Sequence, residues 1–121
     1  MKRLAIIATV LLLATTAKAA EAGPYVTVSA LLRLCDSNDR EQEFFCRGYL
    51  SGLTDTIEDV RRINKNAPCI TRPIQVEELK GVVVAYLRTH VRDDADKPAV
   101  SLASIAIGQA WCPGQANSDH R

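Results

Sequence analysis

Four cysteines are the residues of this sequence best suited to form disulfides or bind a metal, and their spacing distinguishes between these two roles. They are Cys35, Cys46, Cys69 and Cys112. A structural zinc site usually takes its ligands from close pairs such as C-x2-C, whereas the cysteines here are widely separated. An even number of cysteines in a small exported chain is typical of disulfides. The sequence therefore predicts two disulfides and no metal site.

The other side chains that can catalyse reactions do not form a recognisable set. Oxidised cysteines offer no thiolate nucleophile, and the serines lack a nucleophile motif such as G-x-S-x-G. His90 lies beside apolar residues, where a partly buried structural histidine is the common outcome, and His120 lies near the carboxyl terminus. Adjacent carboxylates, at residues 58–59 and 77–78, diverge by about 100° on a helix and suit a solvated surface. We therefore expect no enzyme activity and no cofactor.

The amino-terminal residues have the three parts of a cleavable signal peptide. A basic start at residues 2–3 precedes an apolar run over residues 4–14, and Ala17-Lys18-Ala19 matches the small-x-small cleavage pattern. A membrane anchor needs roughly 20 apolar residues, more than this run supplies. The sequence predicts a signal peptide over residues 1–19, export to the periplasm, and a mature form with no membrane segment.

The composition of the remaining chain argues against nucleic acid as a partner. Removing Lys2, Arg3 and Lys18 with the leader changes the formal net charge from +1 to about −2. No long basic run remains to contact phosphates. A domain is expected over residues 20–112, and the proline, glycine and polar residues of 113–121 predict a flexible tail.

Apolar residues recur at helical spacing in four segments after the leader. The segments run from about Val28 to Leu34, Asp39 to Asn64, Val76 to His90 and Pro98 to Trp111. Thr27, Asn38 and Asp96 precede three of them as expected N-caps. The last segment is apolar nearly all round, which predicts central burial. The sequence therefore predicts an all-α fold, a small four-helix bundle-like domain stapled by two disulfides.

This topology also predicts which cysteines meet, because short connections make neighbouring helices antiparallel. Cys35 ends the first segment and Cys46 lies in the second turn of the next. Cys69 follows the far end of the second segment, and Cys112 reaches the same end of the bundle after two more helices. We therefore expect Cys35 to pair with Cys46 and Cys69 with Cys112.

Two glycines, Gly48 and Gly52, interrupt an otherwise good helix. Each costs about 1 kcal/mol of helix stability relative to alanine. They fall on one face and suit a close helix crossing inside the bundle, which we favour, or close approach by a second protein chain.

Several stretches together resemble a known family. They are LLRLC over residues 31–35, FCRGYLSGLTD over residues 45–55, Cys69, VVVAYL over residues 82–87 and Cys112. This pattern resembles the Rap/Tai family, the immunity proteins of bacterial type VI secretion systems. The residues that match its motif are Phe45, Gly48, Tyr49, Gly52 and Asp55.

The resemblance implies an all-helical periplasmic protein that binds and blocks a toxic effector, commonly a peptidoglycan amidase. It also implies that the protein is a homodimer, as family members often are, and that it plugs the active-site cleft of the effector. Tyr49 and Asp55 are either contact residues or framework. We favour framework, with Tyr49 in the core and Asp55 bonded to a nearby helix end.

We therefore expect a periplasmic immunity protein that inhibits a peptidoglycan hydrolase. The alternative is a periplasmic helical binding or chaperone module unrelated to toxin immunity. A plug requires exposed connections, and residues 36–40 and 92–97 are short and charged. The candidate effector contacts are Asp36, Asp39, Asp93, Asp94 and Asp96.

Overall fold

The computed structural model describes residues 25–112 and Gly114, so the predicted leader and nearly all of the predicted tail lie outside the described residues. Four α-helices make up this part of the chain: α1 (Val28–Cys35), α2 (Arg40–Ile63), α3 (Val76–Asp94) and α4 (Ala99–Trp111). The only β-pairing within it is an isolated bridge between Thr27 and Pro98. The predicted all-α fold is confirmed.

The starts of α1 and α2 are set by side-chain caps. Thr27 caps α1 as expected, because its hydroxyl accepts a hydrogen bond from the amide of Ala30 at 3.2 Å. The expected cap of α2, Asn38, is wrong by one residue. The carboxylate of Asp39 accepts from the amide of Gln42 at 3.0 Å, which satisfies one of the free N–H groups of the first turn.

The third helix is longer than the sequence predicts, and this changes the nature of one candidate contact region. α3 continues past His90 to Asp94, so Asp93 and Asp94 lie in its last helical turn rather than in a loop. Val91 packs against the core, which holds this extra turn in place. The connection to α4 therefore contains only residues 95–98.

The start of α4 also differs from its prediction. Pro98 is the N-cap residue and no side chain caps the helix, so the predicted cap by Asp96 is wrong. The free amide of Ala99 is instead satisfied by the backbone carbonyl of Val26 at 2.8 Å. The start of α4 is therefore capped by a backbone carbonyl of the amino-terminal segment and not by a side chain.

The amino-terminal segment holds the connection between α3 and α4. The amide of Val28 donates to the carbonyl of Lys97 at 3.0 Å, and the amide of Ser29 donates to the carbonyl of Ala95 at 3.0 Å. With the bond from Ala99 to Val26, three backbone hydrogen bonds join residues 26–29 to residues 95–99. The connection is thereby fixed at both of its ends.

All four helices contribute to one core. Its largest fully buried side chains include Leu31 from α1, Leu50 from α2, Leu87 from α3 and Ile107 from α4. α4 supplies more buried positions than any other helix, but one of its edges is open, since Val100 is 41% and Ile105 46% exposed. The predicted central burial of α4 is thus correct for one face only.

Both predicted disulfides are present. Cys35–Cys46 joins the end of α1 to the second turn of α2. Cys69–Cys112 joins the segment after α2 to the end of α4. The four sulfur atoms are held at two different places in the bundle and all are buried.

Candidate protein-binding surface

The two candidate contact regions lie along the same side of the molecule. At one end of α1, Val28 and Ser29 bond to the connection after α3. At the other end, the carboxylate of Asp36 accepts from the guanidinium of Arg88 in α3 at 2.5 Å. α1 therefore runs antiparallel to the last turns of α3. The two acidic regions are separated by about the length of this helix, roughly 12 Å.

The acidic residues at the end of α3 do not stabilise the helix. The carboxyl end of a helix carries partial negative charge, so carboxylates in the last turn are unfavourable. Asp94 is offset by Lys97, whose Nζ lies 2.6 Å from its carboxylate and whose pKa it raises. Asp93 and Asp96 are exposed. These carboxylates form an acidic corner that a partner can reach.

The turn between α1 and α2 borders a polar cleft of about 370 Å³. Its charged lining alternates in sign, with Asp36 and Glu77 beside Lys80 and Arg88. Asp39 is exposed and caps α2, so its side chain has a local structural role besides any contact. This region offers hydrogen-bonding groups of both signs.

A second surface, of different character, lies on α2. Four large apolar side chains there are exposed, Phe44 at 68%, Phe45 at 48%, Val60 at 51% and Ile63 at 67%. Only Cys46 and Leu50 of its 24 residues are fully buried. The apolar stripe predicted for α2 is therefore real, but much of it faces away from the core.

The glycines of α2 lie on this exposed side, which overturns the favoured prediction of a helix crossing inside the bundle. A Cβ atom built on Gly48 or Gly52 would meet no other atom within 4 Å. No helix of the described chain packs against either residue. The space beside both glycines is open.

The motif residues of α2 also lie mostly on the surface. The ring of Phe45 stacks on that of Tyr49, with centroids 6.3 Å apart. Tyr49 packs against the core and its burial raises its pKa, as expected for a framework residue. Asp55 is exposed beside a cleft that Asp59 also lines, and within the described chain it bonds to no helix end, so that expectation is wrong.

A groove between α2 and α4 extends this apolar surface. It has a volume of about 320 Å³ and is mostly apolar. Leu53, Ile57 and Val60 line it from α2, and Val100 lines it from α4. Val60 belongs to both the groove and the exposed side of α2, so the two apolar regions are continuous.

Sequence reasoning missed one important carboxylate. Glu58 was expected on a solvated surface, but it accepts hydrogen bonds from the amides of Cys69 at 2.9 Å and Ile70 at 3.1 Å. It thereby holds the segment that carries the second disulfide. No local pattern signals this role, because the contact joins residues 11 and 12 positions apart through a turn.

The histidine of the described chain is structural. The ring of His90 stacks on that of Tyr86 with centroids 4.2 Å apart, and its Nδ1 lies 2.8 Å from the carbonyl oxygen of Tyr86. Residues 25–112 contain no cluster of three or more metal-ligating side chains. No helix in this range is long and apolar enough to span a membrane.

Comparison of the sequence with protein-family models matches it to one family. A family model for Rap1a immunity proteins matches residues 27–112, which include all four helices and all four cysteines. No curated protein and no solved structure matches the chain. The family resemblance seen in the sequence is confirmed: the chain belongs to the Rap1a immunity protein family.

Proposed function

We propose that this protein is a periplasmic immunity protein that binds and inhibits a type VI secretion effector, a peptidoglycan amidase. The single observation that carries the proposal is the family match over residues 27–112. The mature protein begins after Ala19, once the signal peptide is removed. Inhibition requires no chemistry of its own, because a bound protein that fills the active-site cleft excludes the substrate.

The two disulfides support the proposed compartment. Disulfides persist in oxidising environments such as the periplasm and are rare in the cytosol. Both pairs are buried and tie elements of the bundle together. An amidase that cleaves peptidoglycan would act in the same compartment.

The proposed contact surface is the acidic corner at the end of α3, made by Asp93, Asp94 and Asp96, together with Asp36 and Asp39 near the start of α2. The backbone hydrogen bonds to residues 26–29 hold the corner rigidly, so little conformational entropy is lost on binding. Charged groups at the rim of an interface mainly raise the association rate. Truncating a charged group in the buried centre of an interface weakens the binding free energy by about 2–5 kcal/mol.

We also propose that the protein is a homodimer, as the family resemblance implies. A symmetric dimer presents the same self-complementary patch from both subunits. Exposed apolar side chains at both ends of α2, Phe44 and Phe45 at one and Val60 and Ile63 at the other, support this, since an interface would cover them.

The test is co-production with a periplasmically targeted peptidoglycan amidase encoded beside the gene. The intact chain should prevent lysis, whereas a chain without residues 1–19 should not, because it stays in the cytoplasm. The double variant Asp93→Ala/Asp94→Ala should remain folded, since it removes charges that oppose the helix dipole. We expect it to weaken inhibition by about tenfold or more.

The matched control is Asp59→Ala/Glu78→Ala, which removes two exposed carboxylates that belong to neither acidic region. It should leave inhibition unchanged. Equal lysis with and without the intact protein would refute the immunity function. Full protection by the Asp93/Asp94 variant would refute only the placement of the contact at the corner.

A further inference from the structure

The polar cleft beside the turn between α1 and α2 contains one charge that the fold leaves unpaired. The cleft has a volume of about 370 Å³, and its lining includes two buried residues, Cys35 and Val84. Lys80 of α3 also lines it and is partly buried. Within residues 25–112, the ammonium group of Lys80 forms no ion pair and no hydrogen bond. A charge that is partly removed from water favours a partner of opposite sign.

The carboxylates that border the cleft are compensated by other residues. Asp36 accepts a hydrogen bond from the guanidinium of Arg88 at 2.5 Å. The carboxylate of Glu77 lies 2.6 Å from the guanidinium of Arg47. The positive charge of Lys80 is therefore the one that remains available to a ligand in this cleft.

Gly81 lines the same cleft, and packing within the chain does not require a glycine there. Glycine inside a helix is destabilising relative to alanine. A Cβ atom built on Gly81 would meet no other atom within 4 Å, so no neighbouring element approaches closely. A larger side chain at this position would project into the cleft. The glycine therefore keeps the space beside Lys80 open.

We infer that this cleft receives one carboxylate side chain of the effector, which pairs with the ammonium group of Lys80. The anionic side chains of an unmodified protein at neutral pH are those of aspartate and glutamate, and a carboxylate accepts strong hydrogen bonds from an ammonium group. Asn38 also lines the cleft and is exposed, so its side-chain amide offers a second donor. The inference rests on the immunity function proposed above and names the chemistry of the partner at this site.

The charges of the cleft suit a single negative charge. Since only the charge of Lys80 is uncompensated, one incoming carboxylate is balanced and a second negative charge is not. A dianionic group such as a phosphate would also lie beside the carboxylates of Asp36 and Glu77, which would repel it. The cleft thereby favours an acidic side chain over a more highly charged anion.

Lys80 and the acidic corner give the proposed contact surface opposite charges at its two ends. At 1.5 Å per residue, Lys80 lies about 20 Å along α3 from Asp93 and Asp94. An effector in the correct orientation places a basic group at the corner and an acidic group in the cleft. The reversed orientation brings like charges together at both ends. Such complementarity fixes the register of a complex and excludes wrong partners.

The test measures the rates at which the mature, oxidised chain binds and releases the amidase encoded beside the gene, by surface plasmon resonance. Lys80→Ala should raise the dissociation constant by about tenfold or more. The loss should appear mainly as faster dissociation, because truncating one member of a buried charge pair acts on that rate. Lys80→Arg keeps the charge and should retain most of the affinity.

Gly81→Leu tests the cleft separately from the charge. The single chain can accept the added side chain, so the thermal midpoint should be unchanged or higher. The affinity should nevertheless fall by about tenfold or more, because the side chain fills the cleft. Gly81→Ala should raise the thermal midpoint and leave the affinity close to that of the wild type.

Lys65→Ala is the matched control for Lys80→Ala. Lys65 is exposed and lies just after the other end of α2, whereas the cleft lies near its start. This variant should leave both rates unchanged. A charge exchange then identifies the partner group: among effector variants in which one aspartate or glutamate is replaced by lysine, one should restore affinity for Lys80→Glu.

Three results would overturn the inference, and they separate it from the proposed function. Wild-type rates in both Lys80→Ala and Gly81→Leu, with a wild-type chain that still protects cells, would refute the cleft and leave the immunity function intact. A loss confined to the association rate would place Lys80 at the rim of the interface and refute insertion. A wild-type chain that does not bind the amidase would refute the proposed function and this inference with it.

Discussion

The carboxylate of Glu58 shows how one side chain can connect an element to a distant disulfide. It accepts hydrogen bonds from the backbone amides of Cys69 and Ile70. It therefore fixes the segment that forms the Cys69–Cys112 disulfide. Hydrogen bonds to an ionised acceptor stabilise more than neutral ones. Its loss leaves two amide groups of this segment without that acceptor.

We predict that Glu58→Ala lowers the free energy of unfolding by about 2 kcal/mol. The control is Asp59→Ala, because Asp59 is an exposed neighbour that pairs only with Arg62 in the next turn of the helix. It should change stability by less than about 0.5 kcal/mol. Urea unfolding monitored by circular dichroism measures the free energy of unfolding of both variants. Equal losses of stability in the two variants would contradict the role assigned to Glu58.

At the scale of one helix, the start of α2 depends on Asp39. Removing an N-cap carboxylate typically destabilises a protein by about 1 kcal/mol. We predict this loss for Asp39→Ala and a change near zero for Asn38→Ala, the adjacent exposed residue. Thermal unfolding distinguishes the two residues. A larger effect at Asn38 would restore the original sequence-based assignment of the cap.

Helix number, order and approximate bounds were predictable, because apolar periodicity is a strong signal. The extra turn of α3 was not, since Asp93 and Asp94 are residues that often mark a helix end. Val91 packing and the backbone bonds of residues 95–99 decide this boundary, and both depend on distant parts of the chain. The exposure of the α2 stripe was also not predictable, because periodicity identifies an apolar face but not what covers it.

At the scale of the whole molecule, the two disulfides close loops of very different length. Their sequence separations are 11 residues for Cys35–Cys46 and 43 for Cys69–Cys112. Loop-closure entropy then gives about 3 and 4 kcal/mol of stabilisation respectively. We predict that the double variant Cys69→Ala/Cys112→Ala is less stable than Cys35→Ala/Cys46→Ala by about 1 kcal/mol. Denaturant unfolding of the two oxidised variants tests the order, and the reverse order would contradict the entropic account.

The pairing of these cysteines was predictable from topology, since antiparallel helices place both members of each pair at one end of the bundle. The candidate surfaces were predictable only in part. The acidic residues near Asp93 were identified by their charge, whereas the exposed apolar side of α2 required knowledge of which helices leave it open. A partner cannot be deduced from a single chain's packing, because the surfaces that contact it are those that the fold does not use.

The bonds between residues 26–29 and residues 95–99 determine when this protein can finish folding. Residues 26–29, near the start of the described chain, are joined to residues more than 65 positions later, around the start of the last helix. Until that helix has emerged, neither these bonds nor the bond between Cys69 and Cys112 can form. Completion of the native structure therefore requires almost the whole of the described chain, so these contacts form late in folding.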